Sequence, residues 1–221
     1  LPKENNILKY PPLLSNSLSW PFLIKALILI FPSVILSVPR GSAVFIVLFL
    51  LAIGQRNIWS IWPNLWRIEK VFLWGLFSFF ILALLSTLVN GQVLSHMGSY
   101  SRFLLAIPIF LLLRSLNVSW LKVLSIALVL GAWTLCSQAI YQVEILGDGR
   151  AYGTKNPIIY GEFSMMVGAL LVFRGALYRC NSRWQQIIFF GSAMAALSAS
   201  YLSGSRGAWI FLPVFVGLFL V

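Results

Sequence analysis

Two short polar strings interrupt an otherwise apolar chain of 221 residues, and each carries an arginine. The first runs Gly147-Asp148-Gly149-Arg150-Ala151-Tyr152-Gly153-Thr154-Lys155-Asn156-Pro157. Its glycines allow tight turning, Asn156 stands where the N-cap of a following helix belongs, and Pro157 suits that helix's first position. A helix N-terminus flanked by Arg150 and Lys155 is an anion-binding arrangement. The second string is Ser203-Gly204-Ser205-Arg206-Gly207-Ala208-Trp209. Small neighbours leave the Arg206 guanidinium uncovered, and a planar fork suits phosphate oxygens better than an ammonium does. Read singly, each arginine is a loop-end residue snorkelling to lipid headgroups. Gathered at one face, they point to a site for a phosphorylated ligand.

Other polar residues narrow the chemistry. Glu162, about a turn and a half beyond Pro157, is costly in an apolar helix, so it reads as a functional carboxylate or as a counter-charge to Arg150 or Arg206. Tyr100-Ser101-Arg102 brings another arginine to the start of an apolar run. The single His96 has no acid or second histidine nearby in sequence, which makes it a surface histidine and leaves no Ser–His or Cys–His dyad. Acidic residues number only 5 and none are paired at close spacing, so no metal site and no cofactor are expected. Phosphate would have to be neutralised by cationic side chains.

The elements that must position these strings are membrane helices. Hydrophobic residues make up 60% of the chain and charged ones 10%, against about 25% charged in a soluble domain. Apolar runs near 71–89, 120–143, 157–173 and 187–202 approach or exceed the ~18 residues that mark a span. Their continuity excludes alternating barrel strands, so the expected fold is all-α, a polytopic transmembrane bundle in a single domain over 1–221. The expected helices are 20–38, 42–55, 71–90, 102–114, 120–143, 157–175, 186–203 and 208–221. The second and fourth are short enough to be re-entrant, and Pro108 sits inside the fourth. The first apolar run is followed by Pro39-Arg40 instead of a cleavage site, so it is a retained span.

With the N-terminus in the cytoplasm, every Lys and Arg except Arg40, Arg102, Arg150, Lys155 and Arg206 falls inside, as the positive-inside rule asks. Both arginine strings then face outward. If the fourth helix failed to span, everything after it would flip and the inside excess would shrink. Basic residues scattered between apolar runs exclude a nucleic-acid face despite the net charge of +11. Segment 56–70 interleaves Trp59, Trp62 and Trp66 with Arg67 and Lys70, as an interfacial segment or a basic loop would. Gly191, Ala195, Ala199 and Ser203 recur every four residues, a small-residue stripe for close helix packing. Cys136 in an apolar run and Cys180 in a basic loop exclude a structural disulfide. The chain stops at Val221 within an apolar run, so more chain is expected beyond it.

At Arg150-Ala-Tyr-Gly-Thr-Lys-Asn156-Pro157-Ile-Ile-Tyr-Gly161 and Ser205-Arg206-Gly207-Ala208-Trp209, each preceding a helix, the sequence resembles the O-antigen ligase family. Its relatives, the O-antigen polymerases and the protein O-oligosaccharyltransferases, are the alternatives within the class, since these motifs do not separate a ligase from a polymerase. The resemblance covers essentially the whole chain in helix count and spacing. It implies a GT-C type, metal-independent glycosyltransferase of the bacterial inner membrane with its active face toward the periplasm. Such an enzyme moves a glycan from undecaprenyl diphosphate to lipid A-core. It also implies that Arg150 and Arg206 hold the donor diphosphate, with Lys155 and Arg102 beside them and Tyr152, Asn156, Glu162 and Ser205 in support. The family's proposed general base is a histidine in a large loop further along; His96 does not match it, so the chain is expected to be an N-terminal, donor-binding part. A transporter or flippase of lipid-linked sugars is the competing class, but no inverted repeat or mid-membrane charge is visible.

Overall fold

The computed structural model describes residues 19–54, 59, 62–90, 97–115, 120–154, 156–177, 182–210, 213 and 217. Every regular element among them is helical. The chain divides into two compact units, Leu1–Pro21 with Phe45–Val118 and Phe22–Val44 with Ser119–Val221.

In the first unit α3 (Trp62–Val89) packs on α4 (Met97–Ser115). The apolar span expected from 71 begins at Glu69, and a further helical stretch from Trp62 precedes it. The extra turns are held by rings at helical spacing, Trp62 on Trp66 at 5.4 Å and Trp66 on Trp74 at 5.8 Å between centroids. They join the apolar part through a break at Glu69 (φ −107°, ψ 22°). The Glu69 carboxylate accepts from Arg114 at 2.7 Å, an exposed pair at the end of α4. Helix α4 also starts earlier than expected and contains Pro108. The 11-residue α2 (Ala43–Ile53) is about 16 Å long, well short of a ~30 Å hydrocarbon core.

The second unit contains α1 (Ser19–Ser37) from Phe22 onward, α5 (Trp120–Ile140) with a π-helical turn (Tyr141–Ile145), α6 (Pro157–Leu177) and α7 (Arg183–Leu202). Pro32 lies against Gly131 of α5, where a Cβ would come within 2.6 Å of the proline ring carbon. The core is formed by Leu36, Leu135, Ala139, Tyr160, Val167, Leu171 and the alanines of α7.

Helices α6 and α7 meet through a glycine seam that differs from the stripe read on α7. Gly161, Gly168 and Gly175 recur every seven residues on α6 and face Ser203 and Ser205, Ala193 and Leu197, and Phe189 and Phe190. A two-turn repeat keeps one row of a helix on one neighbour. Ala195, Ala199 and Ser203 are buried as expected, but Gly191 is exposed and a Cβ there would touch nothing. The close approach is thus made by the absence of side chains on α6.

Among the described residues three helical segments are long and apolar enough to cross a membrane: Glu69–Val89, Trp120–Ile145 and Pro157–Ala176. This is the composition of a membrane protein. Run 187–202 does not join them, although α7 has 20 residues. The helix that carries it opens on the polar Arg183, Gln185 and Gln186, which lower the hydropathy of its full length. Pro21–Ser37, Ala43–Ile53 and Leu104–Ser115 are shorter apolar helices. Residues 206–210 are again helical, and most of the expected last helix lies outside the described residues.

Candidate functional site

The first arginine string is shaped by a glutamine at the end of α5. In the π-helical turn Leu146 N donates to Tyr141 O and Asp148 N to Gln142 O, both at 3.0 Å, which releases the chain from α5. The Gln142 side chain is buried under the returning loop. Its Oε1 accepts from the backbone N–H of Tyr152 and of Gly153, and its Nε2 donates to Gly153 O, each at 2.9 Å. Gly153 has φ 59° and lies so close to α1 that a Cβ would sit 2.7 Å from Leu36 O. The same carbonyl accepts from Thr154 N at 2.9 Å and Thr154 Oγ1 at 3.0 Å.

The loop then enters α6 as its sequence predicts. Asn156 Oδ1 accepts from Ile159 N at 2.9 Å, an N-cap bond, and Pro157 is the first residue of the helix. Tyr160, fully buried, donates its hydroxyl to Leu135 O and so ties the first turn of α6 to α5.

The second string is built onto the first. Ala151 N donates to Leu202 O at 3.0 Å, satisfying a carbonyl at the end of α7 with a group from a loop fifty residues away. Gly204 turns the chain with φ 65°, and the Arg150 stem lies across it: a Cβ there would be 3.2 Å from Arg150 Nε and 3.4 Å from its Cδ. Ser203 and Ser205 fit against Gly161, where a Cβ would be 2.5 Å from Ser205 Cβ. Ser203 Oγ donates to Ser200 O at 2.6 Å and accepts from Ser205 N at 3.2 Å. Ser205 Oγ is buried and has no hydrogen-bond partner among the described residues.

Arg150 and Arg206 therefore flank a small-residue turn with exposed side chains, and neither forms an ion pair among the described residues. An exposed guanidinium can receive an oxyanion bidentately, whereas the buried Ser205 hydroxyl is closed to a ligand in this conformation. The expected pairing of Glu162 with Arg150 or Arg206 is not formed. The Glu162 Oε1 lies 4.0 Å from where a Cβ on Gly207 would be, and no ion pair among the described residues joins it to either arginine. Asp148 lies beside Tyr152 and raises its phenol above the ordinary value, first by hydrogen bonding and then by charge, so the ring stays neutral at physiological pH.

It resembles an uncharacterised protein of Haemophilus influenzae. The two are 27% identical over 206 residues, which is 90% of this chain and 50% of that protein. The chain thus spans about half the length of the curated relative it matches. No family model and no solved structure matches the chain.

Among the expected site residues, Arg150, Tyr152, Asn156, Glu162, Ser205 and Arg206 all belong to the second unit, at the end where α6 begins. Lys155 and His96 lie outside the described residues. Arg102 is a residue of α4, in the first unit, and its side chain is likewise outside them. Cys136 is a free, buried thiol, and Cys180 lies outside the described residues. The described residues contain no cluster of three metal-ligating side chains. The sequence reading missed Gln142, the Leu36 carbonyl, and the fit of Gly161 and Gly204. Only Gln142 left a signal, as a polar residue closing a long apolar run.

Proposed function

We propose that the chain is the donor-binding part of an O-antigen ligase, a glycosyltransferase of the bacterial inner membrane acting on its periplasmic side. The observation that carries this reading is Arg150 lying across Gly204, which joins the two arginine strings around Ser205. In this reading the fold is of the GT-C type, the donor is an undecaprenyl diphosphate-linked glycan and the acceptor is lipid A-core. An acceptor hydroxyl attacks the anomeric carbon, the bond from that carbon to the diphosphate oxygen breaks, and the lipid diphosphate leaves with the electron pair. Arg150 and Arg206 stabilise the charge that grows on the leaving oxygen, as fixed donors do at developing oxyanions. The proton of the acceptor passes to a base supplied by the remainder of the protein. Glu162 and Tyr152 border the site without forming an ion pair with either arginine.

The test offers lipid-linked repeat units with lipid A-core to the purified full-length protein, with and without EDTA. Transfer to lipid A-core that survives chelation is expected. Extension of lipid-linked glycan alone would make the protein a polymerase, and abolition by EDTA with rescue by magnesium would overturn the arginine-based mechanism.

The orientation has its own test. Gly149 and Gly207 are exposed, and a Cβ at either meets at most one atom, so cysteine fits both. In a background lacking Cys136 and Cys180, Gly149→Cys and Gly207→Cys are expected to react with a membrane-impermeant thiol reagent in intact spheroplasts. Labelling only after lysis would place both strings in the cytoplasm.

A further inference from the structure

The turn after α1 holds an arginine in a backbone conformation that arginine avoids. Arg40 has φ 63°, a positive value shared by no other non-glycine among the described residues, and its side chain is exposed. A left-handed conformation is unfavourable for any residue with a Cβ and persists where surrounding contacts over-determine it. Those contacts are backbone ones. Gly41 N donates to Val38 O at 2.9 Å and Ala43 N to Arg40 O at 2.8 Å. Gly41 is packed so tightly that a Cβ would strike the Val34 carbonyl. Glycine at position 40 would make this turn without strain, so local folding gives no reason for arginine there.

The location supplies a reason. Arg40 follows by four residues Leu36, whose carbonyl takes both hydrogen bonds from Thr154 and abuts Gly153. The turn is thereby fastened to the loop that presents Arg150, within the same unit. Arg40, like Arg150 and Arg206, has no ion-pair partner among the described residues. Like charges collected at one end of a bundle repel one another, and an anion bound among them removes that cost.

We propose that Arg40 is a third cation of the Arg150 and Arg206 site, holding the diphosphate of a polyprenyl-linked ligand from the α1 side. This rests on the reading of that site as a diphosphate site. The non-bridging oxygens of two phosphates can accept more hydrogen bonds than two guanidinium forks donate, and a third fork fixes the ligand against rotation.

The distinguishing variant is Arg40→Gly in the full-length protein, reconstituted in nanodiscs of zwitterionic lipid, with undecaprenyl diphosphate lacking glycan as the probe. The thermal midpoint is expected to stay level or rise, while affinity for the probe falls roughly 10- to 100-fold, the scale of one charge-assisted contact. Arg40→Lys should recover part of that affinity. Normal probe affinity in Arg40→Gly, with weakened binding in Arg206→Lys, would overturn the role of Arg40 and leave the diphosphate site standing. Normal affinity in Arg150→Lys and Arg206→Lys would overturn the site itself and this proposal with it. A loss confined to discs containing phosphatidylglycerol would assign Arg40 to bulk anionic headgroups and would also overturn it.

Discussion

Replacing Arg150 or Arg206 by lysine is expected to cut glycan transfer by the full-length protein on the order of 10²–10³-fold, with membrane levels nearly unchanged. The size follows from what lysine lacks. A guanidinium presents parallel N–H donors to two phosphate oxygens at fixed geometry, whereas an ammonium delivers charge on a flexible stem. At position 150 the arginine stem lies across Gly204, its Nε 3.2 Å from where a Cβ would be. Lysine can follow that path but ends without the fork. Stability should hardly change, since both side chains are exposed and form no ion pair among the described residues. Transfer normalised to protein in the membrane decides the matter. Near-normal rates in both variants would reduce the arginines to topology signals, and the glycosyltransferase reading would lose its support.

How much of this was legible beforehand depended on the range of the interaction. The helices were readable because hydrophobicity is summed over some twenty residues, and the start of α6 because an N-cap and a first-turn proline act within four. Asn156 and Pro157 perform those roles. The span of α3 starts at Glu69, close to its expected 71, and the tryptophan-rich stretch before it, which fits an interfacial segment or a basic loop in sequence, is helical from Trp62. Helix α7 was read as a span from its apolar run 187–202, while the polar Arg183, Gln185 and Gln186 open the helix and its small residues pack against α6. The pairing of Glu162 with arginine failed for a different reason. Sequence proximity and opposite charge do not fix the direction of a side chain, and the Arg150 stem lies over Gly204, more than fifty residues away. The glycine seam of α6 was likewise invisible without its partner, because a seven-residue glycine spacing acquires meaning only against Ser203, Ala193 and Phe189.

Gln142→Leu is expected to disable transfer as thoroughly as either arginine change while touching no ligand-binding group. Leucine fills a similar volume but leaves the N–H groups of Tyr152 and Gly153 and the Gly153 carbonyl without partners. Each buried orphan costs about 1–3 kcal/mol, so three of them exceed what the loop can hold in place. The helices need not unfold, because the loop can lift toward water and recover its hydrogen bonds there. That movement breaks Ala151 N to Leu202 O and Thr154 N to Leu36 O, and it takes Arg150 off Gly204. Hydrogen exchange at Ala151 and Thr154 should therefore accelerate on the order of 10²-fold, which corresponds to about 3 kcal/mol of lost local stability. Amides inside α5 and α7 should keep their protection. Gln142→Glu is the intermediate case, since it retains an acceptor for the two N–H groups but sets a carboxylate oxygen against the Gly153 carbonyl. Unchanged exchange at 151 and 154 in Gln142→Leu would show that the loop is held by other contacts, and the joining of the two arginine strings would then need another cause.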